Sequence, residues 1–360
     1  MKAAVCYEFD QPLVVEDLHI DPPQAGEVKI RIAACAICHS DIHLLKGEWG
    51  EEPPLVAGHE AAGVVTEVGP GVTSVQAGEH VIVTLIRSCG HCQFCTIGRP
   101  FNCAGDFPLN HESRLRNGHG EAIAQGIKTG AFAEFAIVDQ SQVAKIPEAM
   151  PFDSASLLAC GVITGLGSVT RTAQVKSGNS VAVIGTGGVG LNAIQGAVLS
   201  GATPIIAIDV LDSKLEAARR FGATDTIDAS STDVVAAVRS LSDGFGVEYA
   251  FATVGSQEAI IQATRMVRKG GTTVIVGMPS SDKALFTINA HSITEGRTVI
   301  GSNMGSTRLL VDIPRLIELY GQGRLKLDEL ISQRYPLEEI NEAIASVLRG
   351  EALRNVIVFD

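Results

Sequence analysis

The stretch Val181-Ala182-Val183-Ile184-Gly185-Thr186-Gly187-Gly188-Val189-Gly190 decides the fold of this chain. Four consecutive apolar residues read as a strand covered on both faces, as in a parallel sheet. The glycines at 185, 187 and 190 fit G-x-G-x-x-G, a weak pattern on its own. Here it follows a buried strand and opens an uncharged helix pattern that runs through Leu199. The next strand, Ile205-Ile206-Ala207-Ile208, is closed by Asp209, 19 residues after Gly190. That context is what a dinucleotide fingerprint requires. Gly185 permits the tight turn, Gly187 lets backbone approach a pyrophosphate, and Gly190 lets the helix pack on the strand. Amides at the helix start, Gly188 and Val189, are then placed to hold phosphates. Asp209 can accept hydrogen bonds from both ribose hydroxyls and would repel a 2′-phosphate, which favours NAD over NADP. Lys214 could reach the same ribose. A flavin site or a bare structural turn is the alternative.

Downstream, Lys214 to Phe221 reads as a helix stopped by Gly222. Strand-like segments recur at 248–252, 273–276 and 299–300. Strands alternating with helices predict a doubly wound parallel sheet. After about residue 304 come two helix candidates, 313–322 and 337–349, and a last strand, 355–359. Upstream the texture differs. The first 150 residues read as short strands punctuated by glycine and proline, with candidates at 28–32, 61–69 and 80–83. Residues 104–130 form a polar insert read as loop with short helices.

The chain has 360 residues, more than one ordinary domain of roughly 100–200, so two are expected. Apolar residues make up 46% and charged residues 19%, which excludes a largely disordered chain. The net charge is 28 − 40 = −12 and the pI near 5.2. An acidic balance argues against a nucleic-acid or anionic-membrane partner, because both are anions. No apolar run of signal-peptide length precedes Glu8 and Asp10. Residues 177–208 carry no charge and are long enough to span a bilayer, but seven glycines, Asn179, Asn192 and Gln195 break the run into strand and helix pieces. The expectation is a cytoplasmic protein.

Four of the eight cysteines fall in Cys89-x₂-Cys92-x₂-Cys95-x₇-Cys103. Four thiolates this close can surround one tetrahedral zinc. A closed site of that kind leaves no position for substrate, so its role is structural. An iron–sulfur cluster also uses four cysteines, and two disulfides are the poorer reading in a reducing compartment. Cys38, His59 and Cys160 are further candidates whose spacing proves nothing, since buried cysteines are common in cores. Cys6 and Cys35 match no ligand pattern.

Together, residues 36–43 (Ala36-Ile37-Cys38-His39-Ser40-Asp41-Ile42-His43), Ala57-Gly58-His59-Glu60, the four-cysteine lobe, Cys160-Gly161-Val162-Ile163-Thr164-Gly165 and the glycine fingerprint resemble the zinc-dependent medium-chain alcohol dehydrogenases over essentially the whole chain. The long 104–130 insert is more similar to the animal-type and glutathione-dependent formaldehyde branches than to the shorter tetrameric microbial enzymes. The resemblance implies a mostly-β GroES-like catalytic domain, residues 1–161 and 304–360, with a Rossmann domain, 162–303, inserted.

It also implies two zinc ions per subunit. One is structural, in the cysteine lobe. The other is catalytic, on Cys38, His59 and Cys160, with a fourth position open; this Cys₂His set is a standard example of catalytic zinc in alcohol dehydrogenases. Zinc acts there as a Lewis acid on the alcohol oxygen, and NAD accepts the hydride. Ser40 stands where the family binds that oxygen, and a relay through the nicotinamide ribose ends on His43, whose ordinary pKa near 6.5 suits proton exchange. Asp41 resembles the carboxylate that orients His59, and Glu60 the glutamate behind the zinc. His39 and Arg354 stand where the family touches pyrophosphate, and Thr164 and Val276 where it lines the nicotinamide. Pocket positions include Trp49, Leu85, Ile127, Met278 and Asn303, mostly apolar, so a hydrophobic primary alcohol or aldehyde is expected.

Several alternatives stand beside this reading. One is a glutathione-dependent formaldehyde dehydrogenase, with Arg114 or Arg116 as the basic residue; Ser40 in place of threonine and Trp49 in place of an acid speak against it. A polyol dehydrogenase usually replaces the third ligand by glutamate, which Cys160 opposes. An enzyme that holds its nicotinamide permanently, or a non-catalytic zinc and nucleotide binder, completes the set. The family also implies a homodimer or homotetramer, joined near residues 285–303.

Overall fold

The computed structural model describes residues 1–280 and 284–360. Its contacts divide the chain into two units, Met1–Cys160 with Arg308–Asp360, and Gly161–Thr307. The borders fall one residue before and four residues after the expected ones. The later shift has a packing cause. Gly305 lies so close to the helix Ile163–Gly167 that a Cβ on it would sit 1.9 Å from the Ile163 carbonyl oxygen. Residues 304–307 therefore belong with the dinucleotide unit.

In that unit Val181–Ile184 is buried at every position, as a central parallel strand must be. The sheet order is Asp225–Asp228, Ile205–Asp209, Val181–Ile184, Val247–Ala252, Val267–Ile275, Thr298–Gly301. Every neighbouring pair is parallel. Numbered along the chain, this is the doubly wound order 3-2-1-4-5-6, whose switch point lies beside the first strand. Helix Gly188–Leu199 follows that strand directly. Helix Asp212–Arg220 follows the second. The uncharged 177–208 stretch is thus two core strands and a helix. The sheet's first edge strand, Asp225–Asp228, and helices Val234–Ser240 and Gln257–Met266 were not expected from the sequence. Their patterns are short and amphipathic, and the strand carries Asp at both ends.

The other unit is mostly β. Its longest strand, Glu27–Ala36, is paired along one edge by Glu60–Val68. The opposite edge is shared, with Phe135–Asp139 against its first half and Arg354–Val358 against its second. Strand His80–Val83 extends the sheet beyond Glu60–Val68. A separate sheet holds Lys2–Cys6, Val14–Asp17, Leu55–Val56 and two short strands, Leu115–Arg116 and Ala122–Gln125. These last two lie in the insert read as loop with short helices. They form because Leu115 and Ile123, both fully buried, pair with each other. The core joins Ile30, Ile32, Val65, Val81, Phe132 and Ile357. Helices Leu309–Gly321 and Ile340–Leu348 also belong to this unit. One helical run, Phe152–Thr172, is apolar and long enough to cross a membrane, but 89% of its apolar 18-residue stretch is buried inside the protein, as core helices are.

Candidate active site

In the mostly β unit, four groups meet although the chain separates them widely. Cys38, His59, Glu60 and Cys160 are all buried and place their ligand atoms within 4.8 Å of one another. Cys38 caps the short helix His39–Leu45. His59 precedes strand Glu60–Val68. Cys160 lies in the π-helical turn Leu158–Val162, a wide turn of the kind common at functional sites. Thr84 fixes that turn by donating to the Ala159 carbonyl at 2.6 Å.

Asp41 organises the centre. Its Oδ1 accepts from the Gly58 amide at 3.0 Å and from His59 Nδ1 at 2.8 Å. Its Oδ2 accepts from the Cys38 amide at 3.0 Å. One carboxylate therefore aligns both metal-ligand segments. Gly58 has φ +92, and a Cβ there would meet the Phe132 amide nitrogen at 2.6 Å, so only glycine lets the chain reach Asp41 and turn His59 inward.

With Nδ1 donating to Asp41, His59 presents Nε2 as a lone pair, and that atom is buried without a hydrogen-bond partner. An orphaned imidazole nitrogen beside two thiols is what a soft divalent metal completes. The hydrogen bond from Cys160 holds the Cys38 thiol well below its ordinary pKa against the opposing effect of burial. Burial pushes Glu60 up to about 7, against the pull of Arg354.

Arg354 donates from Nη2 to Glu60 Oε2, and its Nε is buried without a partner. In the described contacts Arg354 thus forms an ion pair behind Cys38, His59 and Cys160. The strand Arg354–Val358 sits beside Ala34–Ala36, which brings the guanidinium to Glu60. Only the fold joins these residues, 294 positions apart, and no local signal marks the pair.

Helix His39–Leu45 also carries Ser40, half-buried, and exposed His39. His43 pairs through Nδ1 with Glu48 and stacks on Trp49, ring centroids 5.3 Å apart at 19°. Trp49 and Leu85 pack on the core, and Ile127 belongs to it. Met278 is 59% exposed, and Asn303 is exposed, both in the other unit.

The cysteine lobe forms the second candidate metal group among the described residues. Backbone amides aim at its sulfurs: Cys89 and Gly105 at Cys103 Sγ, both 3.2 Å, and Cys92 at Cys89 Sγ, 3.3 Å. Donors converging on sulfur favour thiolate. Amides of Cys95 and Ala104 bring Cys92 down to about 6, while burial pushes Cys95 up to about 12. All eight cysteines are free, which removes the disulfide reading.

Arg114, the candidate anion binder, is buried elsewhere. It holds Glu27 through Nε and Nη2 at 3.0 and 2.7 Å, and Glu112 at 2.9 Å. Exposed Arg116 lies near Asp21, at 3.7 Å. Arg87, not foreseen, anchors the insert by donating to Gln142, Asn110 and the Lys128 carbonyl.

In the dinucleotide unit, Gly185 turns at φ +86, and a Cβ on Gly190 would lie 1.8 Å from the Gly185 carbonyl oxygen. A Cβ on Gly187, the residue before helix Gly188–Leu199, would meet open space, which leaves room for a phosphate at the helix start. The Val189 carbonyl in turn lies 2.1 Å from where a Gly165 Cβ would be. Asp209 Oδ2 accepts from the Thr186 amide and hydroxyl at 2.7 and 2.9 Å, tying the glycine turn to the second strand. Lys214 is buried on helix Asp212–Arg220, and burial lowers its pKa against the attraction of Asp209. Thr164 and Val276 are also buried in this unit.

Family comparison gives the same picture. Residues 24–148 match the alcohol dehydrogenase GroES-like domain, and 188–321 the zinc-binding dehydrogenase domain. An NDMA-dependent alcohol dehydrogenase of Amycolatopsis methanolica is 38% identical, over 99% of this chain and 98% of the relative. The crystal structure of benzyl alcohol dehydrogenase from Acinetobacter calcoaceticus superposes with TM-score 0.93 at 30% identity, covering 100% of this chain and 99% of that one. A zinc-binding dehydrogenase from Sinorhizobium meliloti bound to NADP superposes at 0.84 with 28% identity and 99% coverage of both chains.

Proposed function

Because this chain belongs to the zinc-dependent medium-chain alcohol dehydrogenases, an oxidoreductase family that uses zinc and a nicotinamide cofactor, we propose that it interconverts a hydrophobic primary alcohol and its aldehyde with NAD, at a catalytic zinc on Cys38, His59 and Cys160. The observation that carries this reading is the unpartnered Nε2 of His59 among the buried Cys38 and Cys160 sulfurs. Zinc bound there supplies Lewis-acid polarisation of the alcohol oxygen. Bound nicotinamide supplies the hydride acceptor. Asp41 holds the His59 tautomer. Ser40 Oγ accepts the alcohol proton as it passes its own hydroxyl proton on along the relay, and His43 releases a proton to solvent. Glu60, paired with Arg354, stands beside the ligands as a reserve carboxylate. A second zinc in the cysteine lobe stabilises the fold.

NAD rather than NADP is proposed on Asp209, whose carboxylate closes the strand beside the glycine turn. Gly185, Gly187, Gly188, Val189 and Gly190 cradle the pyrophosphate, with Lys214 near the ribose and Thr164 and Val276 lining the nicotinamide. His39 and Arg354 are proposed to assist at the phosphates, Arg354 while still paired to Glu60. Trp49, Leu85, Ile127, Met278 and Asn303 are proposed substrate contacts. The engagement of Arg114 with Glu27 supports alcohols over glutathione adducts. A cytoplasmic homodimer or homotetramer is proposed, joined along the outer strand Thr298–Gly301, which has exposed residues at both ends.

A second reading is favoured by the relative described as NDMA-dependent. In it the nicotinamide stays bound and an external oxidant reoxidises it. The test of both is absorbance at the reduced-nicotinamide band with NAD and alcohols from ethanol to benzyl alcohol. The first reading expects a rise that zinc chelation abolishes and Cys160→Ala lacks. A rise that survives Cys160→Ala would sink the zinc site. No rise, with nicotinamide released only on denaturation and turnover restored by a nitroso dye, would establish the second.

A further inference from the structure

His43 is held on two sides by the turn that follows its own helix. Glu48 pairs with its Nδ1, and Trp49 stacks on its ring. The Glu48 amide also donates to the His43 carbonyl at 3.0 Å, so main chain and side chain both tie the turn to the helix. Ring and carboxylate are each about one quarter to one third exposed, 27% and 30%. This is a partly screened pair with a path to solvent. A carboxylate at Nδ1 sets the tautomer: Nδ1 carries the hydrogen, and Nε2 is the lone pair that can take a proton.

We propose that Glu48 is a positioning residue for proton release, and that His43 and Glu48 act as one unit. The proposal rests on the relay reading of Ser40 and His43 above. When a proton reaches Nε2, the ring becomes imidazolium, and Glu48 stabilises that charge without itself taking the proton. The Nε2–H bond that forms is then broken by solvent water or buffer, so the ring returns to its starting tautomer. Trp49 fixes the plane of the ring through the cycle. The other charged or titratable groups on the helix and the segments packed on it are His39, Asp41, Lys46, Asp10, Glu51 and Lys128. Asp41 is committed to His59, and Glu51 accepts from the Ile127 amide at 3.1 Å. Glu48 is the carboxylate on the ring.

The test pairs Glu48→Gln and Glu48→Asp with His43→Gln. The first readout is the ring ¹⁵N spectrum of zinc-loaded protein without nicotinamide, the His43 signals being those missing in His43→Gln. The expected result is an Nδ1–H tautomer in the native protein. In Glu48→Gln, the share of the ring with its hydrogen on Nδ1 should fall several-fold, since the carboxylate that selects that tautomer is gone. The second readout is the pH dependence of kcat/KM for alcohol oxidation. Its plateau should be several-fold lower in Glu48→Gln, and Glu48→Asp should restore most of it. An unchanged tautomer and an unchanged plateau in Glu48→Gln overturn the proposal. A His43→Gln enzyme whose rising limb is unaltered overturns the relay itself, whatever the spectrum of Glu48→Gln shows.

Discussion

Asp41 is the residue on which the metal-ligand set turns. It is fully buried, and three donors from two segments hold its oxygens. Replacing Asp41 by Asn leaves size intact but lets an amide nitrogen face His59 Nδ1. Outer carboxylates of this kind typically sustain metal affinity by a factor of about 10–100. Asp41→Asn should therefore weaken zinc at the Cys38 set by about that factor, as read by competition with a chromophoric chelator. Unchanged affinity would show that Asp41 serves only the helix cap. At this scale the sequence was legible where motifs carry chemistry. Cys38, His59 and Cys160 lie together, and so do the four lobe cysteines. The Arg354–Glu60 and Arg114–Glu27 pairs were not legible, because each joins residues from distant segments and an isolated arginine looks the same in a phosphate site, a core ion pair or solvent.

At the scale of elements, the glycine turn shows how closely strand and helix must approach. A Cβ on Gly190 would overlap the Gly185 carbonyl oxygen, a backbone atom with nowhere to go. Gly190→Ala must push the helix off the strand, an overpacking cost of about 1–3 kcal/mol, and it tilts the helix start away from the phosphates. NAD affinity by calorimetry should fall at least tenfold, with a lower melting temperature. Native affinity would mean the turn does not carry the phosphates. Long apolar strands and the fingerprint helix could be read from periodicity. The short strands of the insert and the edge strand Asp225–Asp228 could not, since two to four residues hold no period and tertiary pairing decides them. The π-turn around Cys160 also has no compositional mark.

For the whole molecule, the length already pointed to two domains, and the structure shows where the chain crosses between units, after Cys160 and Thr307. The cysteine lobe lacks fully buried residues in its helix Gln93–Thr96, so its own core is thin. Thin lobes depend on a metal for stability. If the lobe holds a zinc, as proposed, Cys103→Ser should lower the zinc content by one ion and lower the melting temperature while leaving the Cys38 set loaded. Two ions retained, or an unchanged melting curve, would refute a structural metal there.

The last strand, Arg354–Val358, completes an edge of Glu27–Ala36 and delivers the cation to Glu60. On a ribosome making 5–20 residues per second, that strand emerges roughly 15–60 s after Glu60. For roughly the last 10–40 s of it, once Cys160 has been made, the proposed metal ligands are all synthesised, yet the sheet has an open edge and the buried glutamate has no counter-charge. An open edge invites pairing with another chain. A chain ended at Gly350 should therefore accumulate as aggregate, and adding the peptide 351–360 during refolding should recover soluble, zinc-loaded protein. Recovery of soluble protein without the peptide would mean that the nascent unit closes on its own.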